Sequence, residues 1–206
     1  MKAILLVDIQ NDFLPTGSLP VPDGHGVIPV ANRLLAQPAA RVVVATLDWH
    51  PADHQSFASQ HPGKQPFEVV DLHGLQQVLW PDHCIQHSHG ARLASTLRTR
   101  DIQRVFFKGT NPEIDSYSGL FDNGHRQATG LHEYLRDLGV RELLVLGLAL
   151  DVCVKHTVLD ACQLGYGVTV VEDGCRGVDV VPGESERARA AMRAAGARLA
   201  TSDEAL

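Results

Sequence analysis

With 206 residues, 44% of them hydrophobic and 20% charged, the chain falls in the ordinary range for a compact globular domain. It carries 24 acidic against 18 basic residues, a net charge of -6, so nothing draws it to phosphate backbones or anionic lipid; no nucleic-acid or membrane partner is expected. The first apolar run, Ala3 to Val7, is too short for a signal-peptide core. The cysteines at 84, 153, 162 and 175 show neither CxxC spacing nor the density of a disulfide scaffold, which points to reduced thiols and a cytoplasmic protein.

In chain order, short runs rich in Val, Ile and Leu predict strands over Ala3–Val7, Arg41–Leu47, Arg104–Phe107, Glu142–Gly147, Val168–Val171 and, last, Ala197–Ala200. Helix-like segments stand between them: Val27–Leu35, Ala91–Leu97, Gln127–Leu138, Asp151–Leu164 and Glu184–Ala195. Asp151 reads as the N-cap of its helix and Gly165 as its end. The expected fold class is α/β: an open, doubly wound, mostly parallel sheet of about six strands with helices on both faces. One domain over residues 1–206 is expected, with two connections, 48–90 and 109–126, long enough to be site-forming loops.

Four predicted strands run into reactive residues: LLV into Asp8, ATL into Asp48, VFF into Lys108, and LLVLGLAL into Asp151 and then Cys153. In an open doubly wound sheet the ligand crevice lies at the carboxyl ends of the strands, so these residues would meet there. Taken singly, Cys153 reads as a small core residue, Asp8 as a turn former or helix cap and Lys108 as a solvated lysine. Together they form a set for acyl transfer. Cys153 at a helix start would feel the positive helix end, which favours thiolate; Asp8 could carry protons, and the Lys108 ammonium would tune both.

Eleven histidines are many for this length, and His50, His54, His61, His73 and His83 fall in one stretch. Asp48 and His50, two apart at a strand end, project to one face and could grip an ion. A third ligand could be His83 in WPDHC or His54 in DWHPADH. Two histidines and a carboxylate with open positions suit zinc, iron or manganese. Surface loop histidines are the competing reading.

Taken together, DIQNDF with G-SL (Asp8–Leu19), DWHPADHQSF (Asp48–Phe57), WPDHC (Trp80–Cys84), KGTNPEIDSYSGLFDN (Lys108–Asn123) and GLALDVCV (Gly147–Val154) resemble the nicotinamidases, or pyrazinamidases, among the isochorismatase-like cysteine hydrolases. The resemblance implies an isochorismatase-like fold and hydrolysis of nicotinamide to nicotinate and ammonia in NAD salvage, with pyrazinamide also accepted. It implies Asp8, Lys108 and Cys153 as catalytic triad, and the backbone N–H groups of Ala149 and Cys153 as oxyanion hole, with a non-proline cis peptide before Ala149. Phe13, Trp80 and Tyr117 would surround the substrate ring. Asp48, His50 and His83 would ligate one divalent metal ion, zinc first with iron or manganese as alternatives, and His54 matches a position that is a ligand in some members only. Leu120 stands where many members carry Ala or Phe. Related carbamoyl hydrolases share fold and nucleophile but lack the D-x-H motif, so another small-carboxamide amidohydrolase is the nearest alternative, and a non-catalytic metal-binding or thiol redox protein a remote one. The resemblance leaves monomer or homo-oligomer open.

Overall fold

The computed structural model describes residues 1–37 and 42–205; Arg41, where the second strand is expected to begin, lies outside them. Strand β1 (Lys2–Val7) is followed by helix α1 (Val27–Leu35) and strand β2 (Val42–Asp48). The long connection then contains a hairpin, β3 (Val69–Leu72) with β4 (Leu75–Val78), before β5 (Arg104–Lys108). Next come α2 (Leu131–Asp137), β6 (Glu142–Leu148), a π-helical turn over Leu150–Val154, and α3 (Lys155–Gln163). The chain closes with β7 (Gly167–Arg176), α4 (Glu184–Ala194), β8 (Arg198–Ala200) and α5 (Ser202–Ala205).

The main sheet has six strands in the order β5-β2-β1-β6-β7-β8, and each neighbouring pair is parallel. Strands buried on both faces need apolar residues throughout rather than in alternation, and β2 is buried along its whole length while β1 is buried from Ala3 to Val7. The chain runs outward from β1 through β2 to β5, then jumps back to lay β6 on the other side of β1. That reversal puts a crevice at the carboxyl ends of the central strands. Gly147 makes the last step possible. Its φ is +134°, and a Cβ there would collide with the backbone of Val7, so only glycine lets β6 close on β1 at this step; on the other side of β6, against β7, the register shifts between Val145 and Gly147. No helix among the described residues is long and apolar enough to cross a membrane.

Two expectations fail locally. Ala91–Leu97 is not helical, because its backbone groups are taken from outside: Arg92 O accepts from Asn11 N–H at 3.0 Å, Ala94 N–H donates to Ile9 O at 2.9 Å, and Leu93 bridges Gln10. A segment paired this way cannot close its own i to i−4 ladder. The helix expected from Gln127 starts at Leu131, since Ala128 bridges Phe121 and Gly130 turns at φ +87°.

Candidate active site

Sheet register assembles the first part of the site. Asp8 follows β1, and Asp48 and Lys108 are directly paired at the ends of β2 and β5. Lys108 Nζ lies 2.5 Å from Asp48 Oδ1, 2.9 Å from Asp8 Oδ2, 2.9 Å from Ser116 O and 3.4 Å from Cys153 Sγ. Lys108 is 2% exposed and Asp8 0%, so a charged lysine survives here only because two carboxylates surround it. Burial alone would push the ammonium down, but Asp48 and then Asp8 outweigh it and hold Lys108 well above its usual value. Burial likewise works on Asp48, yet Lys108 and His50 keep that carboxyl well below its ordinary range. At Asp8 burial wins over Lys108, and the carboxyl is raised.

The two oxygens of Asp8 differ. Oδ1 accepts the Thr46 hydroxyl at 2.6 Å. Oδ2 is ion-paired to Lys108 but receives no well-aligned hydrogen bond from the described residues, which leaves it able to take a proton. Cys153 does not start as a thiolate, contrary to the reading from its place at a helix start. Burial pushes its thiol well above the ordinary value, and Asp8 and Asp48 add to this against the partial offset of Lys108. Asp151, expected as the N-cap, does not cap. It lies within the π-helical turn that follows Ala149, and its carboxylate accepts the backbone N–H groups of Val178 (3.0 Å) and Asp179 (2.6 Å).

The histidine side is built by the loop after β2. His50 N–H donates to Cys84 O, Trp80 N–H to Ser56 O and Ala58 N–H to Trp80 O, so residues 80–86 are laid alongside residues 50–58 and His83 arrives beside His50. His50 Nε2 and His83 Nε2 each stand 3.6 Å from a different oxygen of Asp48. Their other nitrogens meet backbone carbonyls, Gly109 O and Pro81 O. His50 Nε2 is buried with no hydrogen-bond partner among the described residues, and Asp48, His50 and His83 present ligand-type atoms within 4.8 Å of one another. An orphaned inward nitrogen, a second imidazole and a buried carboxylate are a donor set that a divalent ion fits. Gly109, at φ +63°, makes room: a Cβ there would land on the His50 ring.

Both halves open into one cavity, lined among others by Asp48, His83, Ala149 and Cys153 and by Phe13, Trp80 and Tyr117. Leu148–Ala149 is a cis peptide. Trp80 Nε1 and Gln77 Nε2 both donate to Tyr117 Oη, at 3.3 and 3.1 Å, which fixes these rings as a wall. Leu120 is buried in the core and is not among the residues lining this cavity. His54 lies behind His50, their ring centroids 4.3 Å apart.

The structure adds residues that sequence reasoning missed. Gln10 clamps Asp48 by its side-chain amide, donating to Asp48 O at 2.8 Å and accepting from Asp48 N–H at 2.9 Å. Asp115, 3% exposed, also lines the cavity. Neither carried a signal beyond lying inside a motif, because a lone amide or acid in a loop is usually a turn residue.

A family model for the isochorismatase domain matches residues 2–204. The chain belongs to the isochorismatase family. Within this family it is 54% identical over 202 residues to the nicotinamidase of Escherichia coli K12, covering 97% of this chain and 94% of that protein. Among solved structures, a nicotinamidase/pyrazinamidase of Acinetobacter baumanii superposes with a TM-score of 0.95 at 42% identity, covering 100% of this chain and 98% of the other. A pyrazinamidase of Pyrococcus horikoshii in complex with zinc superposes with a TM-score of 0.78 at 33% identity, covering 97% and 98%.

Proposed function

We infer that this isochorismatase-family enzyme is a nicotinamidase: it hydrolyses nicotinamide to nicotinate and ammonia. Its likeness to nicotinamidases runs along nearly the whole chain. The observation that carries the chemistry is the clustering of Asp8, Lys108 and Cys153 beside Asp48, His50 and His83, with Cys153, Asp48 and His83 opening into one cavity. The chain works as one domain, with the loops at 48–90 and 109–126 as walls of the site. A cytoplasmic role in NAD salvage, with pyrazinamide as a second substrate, completes the reading.

The residues define the order of events. Asp8 Oδ2 takes the proton of the Cys153 thiol, which starts protonated, and sulfur attacks the carboxamide carbon. The oxyanion is received by the backbone N–H groups of Ala149 and Cys153. Asp8 returns the proton to the leaving nitrogen, ammonia departs, and a thioester remains on Cys153. Water gives a proton to Asp8, attacks the thioester, and releases nicotinate as the thiol is restored. Lys108 stays cationic throughout and keeps the buried carboxylates in place. Phe13, Trp80 and Tyr117 hold the pyridine ring. Asp48, His50 and His83 would hold one divalent ion, zinc by analogy with the Pyrococcus pyrazinamidase; when bound, it supplies Lewis acidity toward the ring nitrogen and water.

The test is ammonia release by purified protein from nicotinamide, pyrazinamide and N-carbamoyl substrates, with Cys153→Ala alongside. Nicotinamide and pyrazinamide should be hydrolysed and the variant should be inactive with its metal content intact. Preference for an N-carbamoyl compound would reassign the substrate, and substantial activity in Cys153→Ala would remove it as nucleophile.

A further inference from the structure

Behind one wall of the cavity lies a second recess, lined among others by Leu75 and Gln76 of β4, Asn123 and His156. None of these residues takes part in the acyl transfer. Among the described residues, Tyr117 alone lines both spaces, so its side chain is the partition between them.

Tyr117 is pinned at two points. Trp80 Nε1 and Gln77 Nε2 donate to its Oη at 3.3 and 3.1 Å, and its backbone N–H donates to Asn123 Oδ1 at 2.9 Å. These bonds hold the hydroxyl and the main chain but leave rotation of the ring about its long axis, because the hydroxyl oxygen lies on that axis. A phenol ring is far thinner across its faces than across its edges. Its rotation therefore decides how much of the substrate slot Tyr117 fills.

What packs against the ring sets that rotation. Trp80 meets it from the cavity side, centroids 6.2 Å apart at an interplanar angle of 85°, and His156 from the recess side at 5.3 Å and 48°. His156 stands in the first turn of α3, three residues past Cys153. The helix that follows the nucleophile thus also carries the brace for the partition. Burial and then Lys155 bring the pKa of His156 down to about 4, so at neutral pH the imidazole packs on the phenol as an uncharged aromatic ring.

We propose that His156 is a positioning residue that determines specificity: from the recess side it stops Tyr117 from turning about its long axis and so keeps the slot one pyridine ring wide. The substrates excluded in this way are carboxamides of fused bicyclic heteroaromatics. This inference rests on the nicotinamidase reading given above.

The experiment compares wild type, His156→Ala and His156→Phe on nicotinamide, quinoline-3-carboxamide and isoquinoline-4-carboxamide. The two bicyclic amides keep the carboxamide on a pyridine ring and extend that ring along different edges. Ammonia release is measured, and kcat/KM for each bicyclic amide is divided by that for nicotinamide on the same preparation, which cancels any loss of folded enzyme. Wild type should favour nicotinamide. In His156→Ala, KM for nicotinamide should rise about 2–10-fold with kcat little changed, the worth of one aromatic contact, and the ratio for at least one bicyclic amide should rise by a similar factor. His156→Phe, which keeps a ring without its nitrogens, should bring both values back toward wild type. A ratio unmoved in His156→Ala for both bicyclic amides overturns the proposal, and so does His156→Phe behaving like His156→Ala. Wild type that hydrolyses a bicyclic amide as readily as nicotinamide also overturns it, since Tyr117 would then set no limit. Wild type inactive on nicotinamide but active on an N-carbamoyl compound would instead overturn the substrate reading, and this proposal with it.

Discussion

The two walls of the cavity are held by different means. On the Cys153 wall, Asp8, Asp48 and Lys108 sit at the ends of parallel strands, and sheet register alone sets Asp48 opposite Lys108 and Val7 beside Thr46. On the histidine wall, none of the rings lies in a strand of the main sheet, and each is aimed by its own hydrogen bond, to Gly109 O, Pro81 O or Ser56. Asp48 belongs to both walls. A wall set by register tolerates changes of shape but not of charge, because its buried groups balance one another. A wall set by single hydrogen bonds fails when one carbonyl or one ring is displaced.

The largest effect should come from breaking the charge balance of the first wall. Lys108→Met leaves Asp8 and Asp48 buried without a counter-charge and should destabilise the fold by about 3–5 kcal/mol, with ammonia release falling below detection. Denaturant unfolding checks the first part, and a variant as stable as wild type would show that the carboxylates do not need the ammonium. Smaller is the effect of Asp151→Ala, which frees the backbone of Val178 and Asp179. Loss of two bonds to a charged acceptor should cost about 2 kcal/mol. Because Val178 lines the cavity, KM should rise more than kcat falls.

On the second wall, Gly109→Ala should cost about 1–2 kcal/mol through its left-handed backbone and, by displacing His50, weaken metal binding about 10–100-fold. Chelator competition measures this, and unchanged affinity would mean that His50 does not hold the ion. The smallest change is Thr46→Val. Its hydroxyl stabilises ionised Asp8, so losing it raises Asp8 further. Asp8 must be ionised to accept the thiol proton, and kcat/KM therefore falls as pH drops through the pKa of Asp8, which burial has already raised from its ordinary value. In Thr46→Val this acid limb should move to higher pH; a limb that stays in place would take Asp8 out of the base role.

Much of the first wall was legible in the chain itself. Apolar runs that end in Asp8, Asp48 and Lys108 announce strands whose carboxyl ends carry chemistry, and a parallel sheet brings such ends together whatever the loops do. The hairpin of β3 and β4 was not legible, nor was the failure of Ala91–Leu97 to become helical. The hairpin pairs near neighbours, from Leu72 with Leu75 to Val69 with Val78, but its four-residue strands, VVDL and LQQV, are too short and too mixed to show a period. Ala91–Leu97 depends instead on pairing with distant backbone, such as the donation from Asn11 N–H to Arg92 O, which local periodicity does not report.

By itself, then, the order of residues determined the α/β sheet, the set of reactive side chains at its strand ends, and the D-x-H pair that starts the histidine wall. The choice between His83 and His54 as third partner of Asp48 stayed open, and only the tertiary structure decided which imidazole faces it. The same is true of the protonation of Cys153. A helix start argues for thiolate when read locally, but the pKa of a buried thiol follows the burial and the charges that surround it. Asp8 and Asp48 come to Cys153 from strands more than a hundred residues away in sequence, and their field exists only once the sheet has closed.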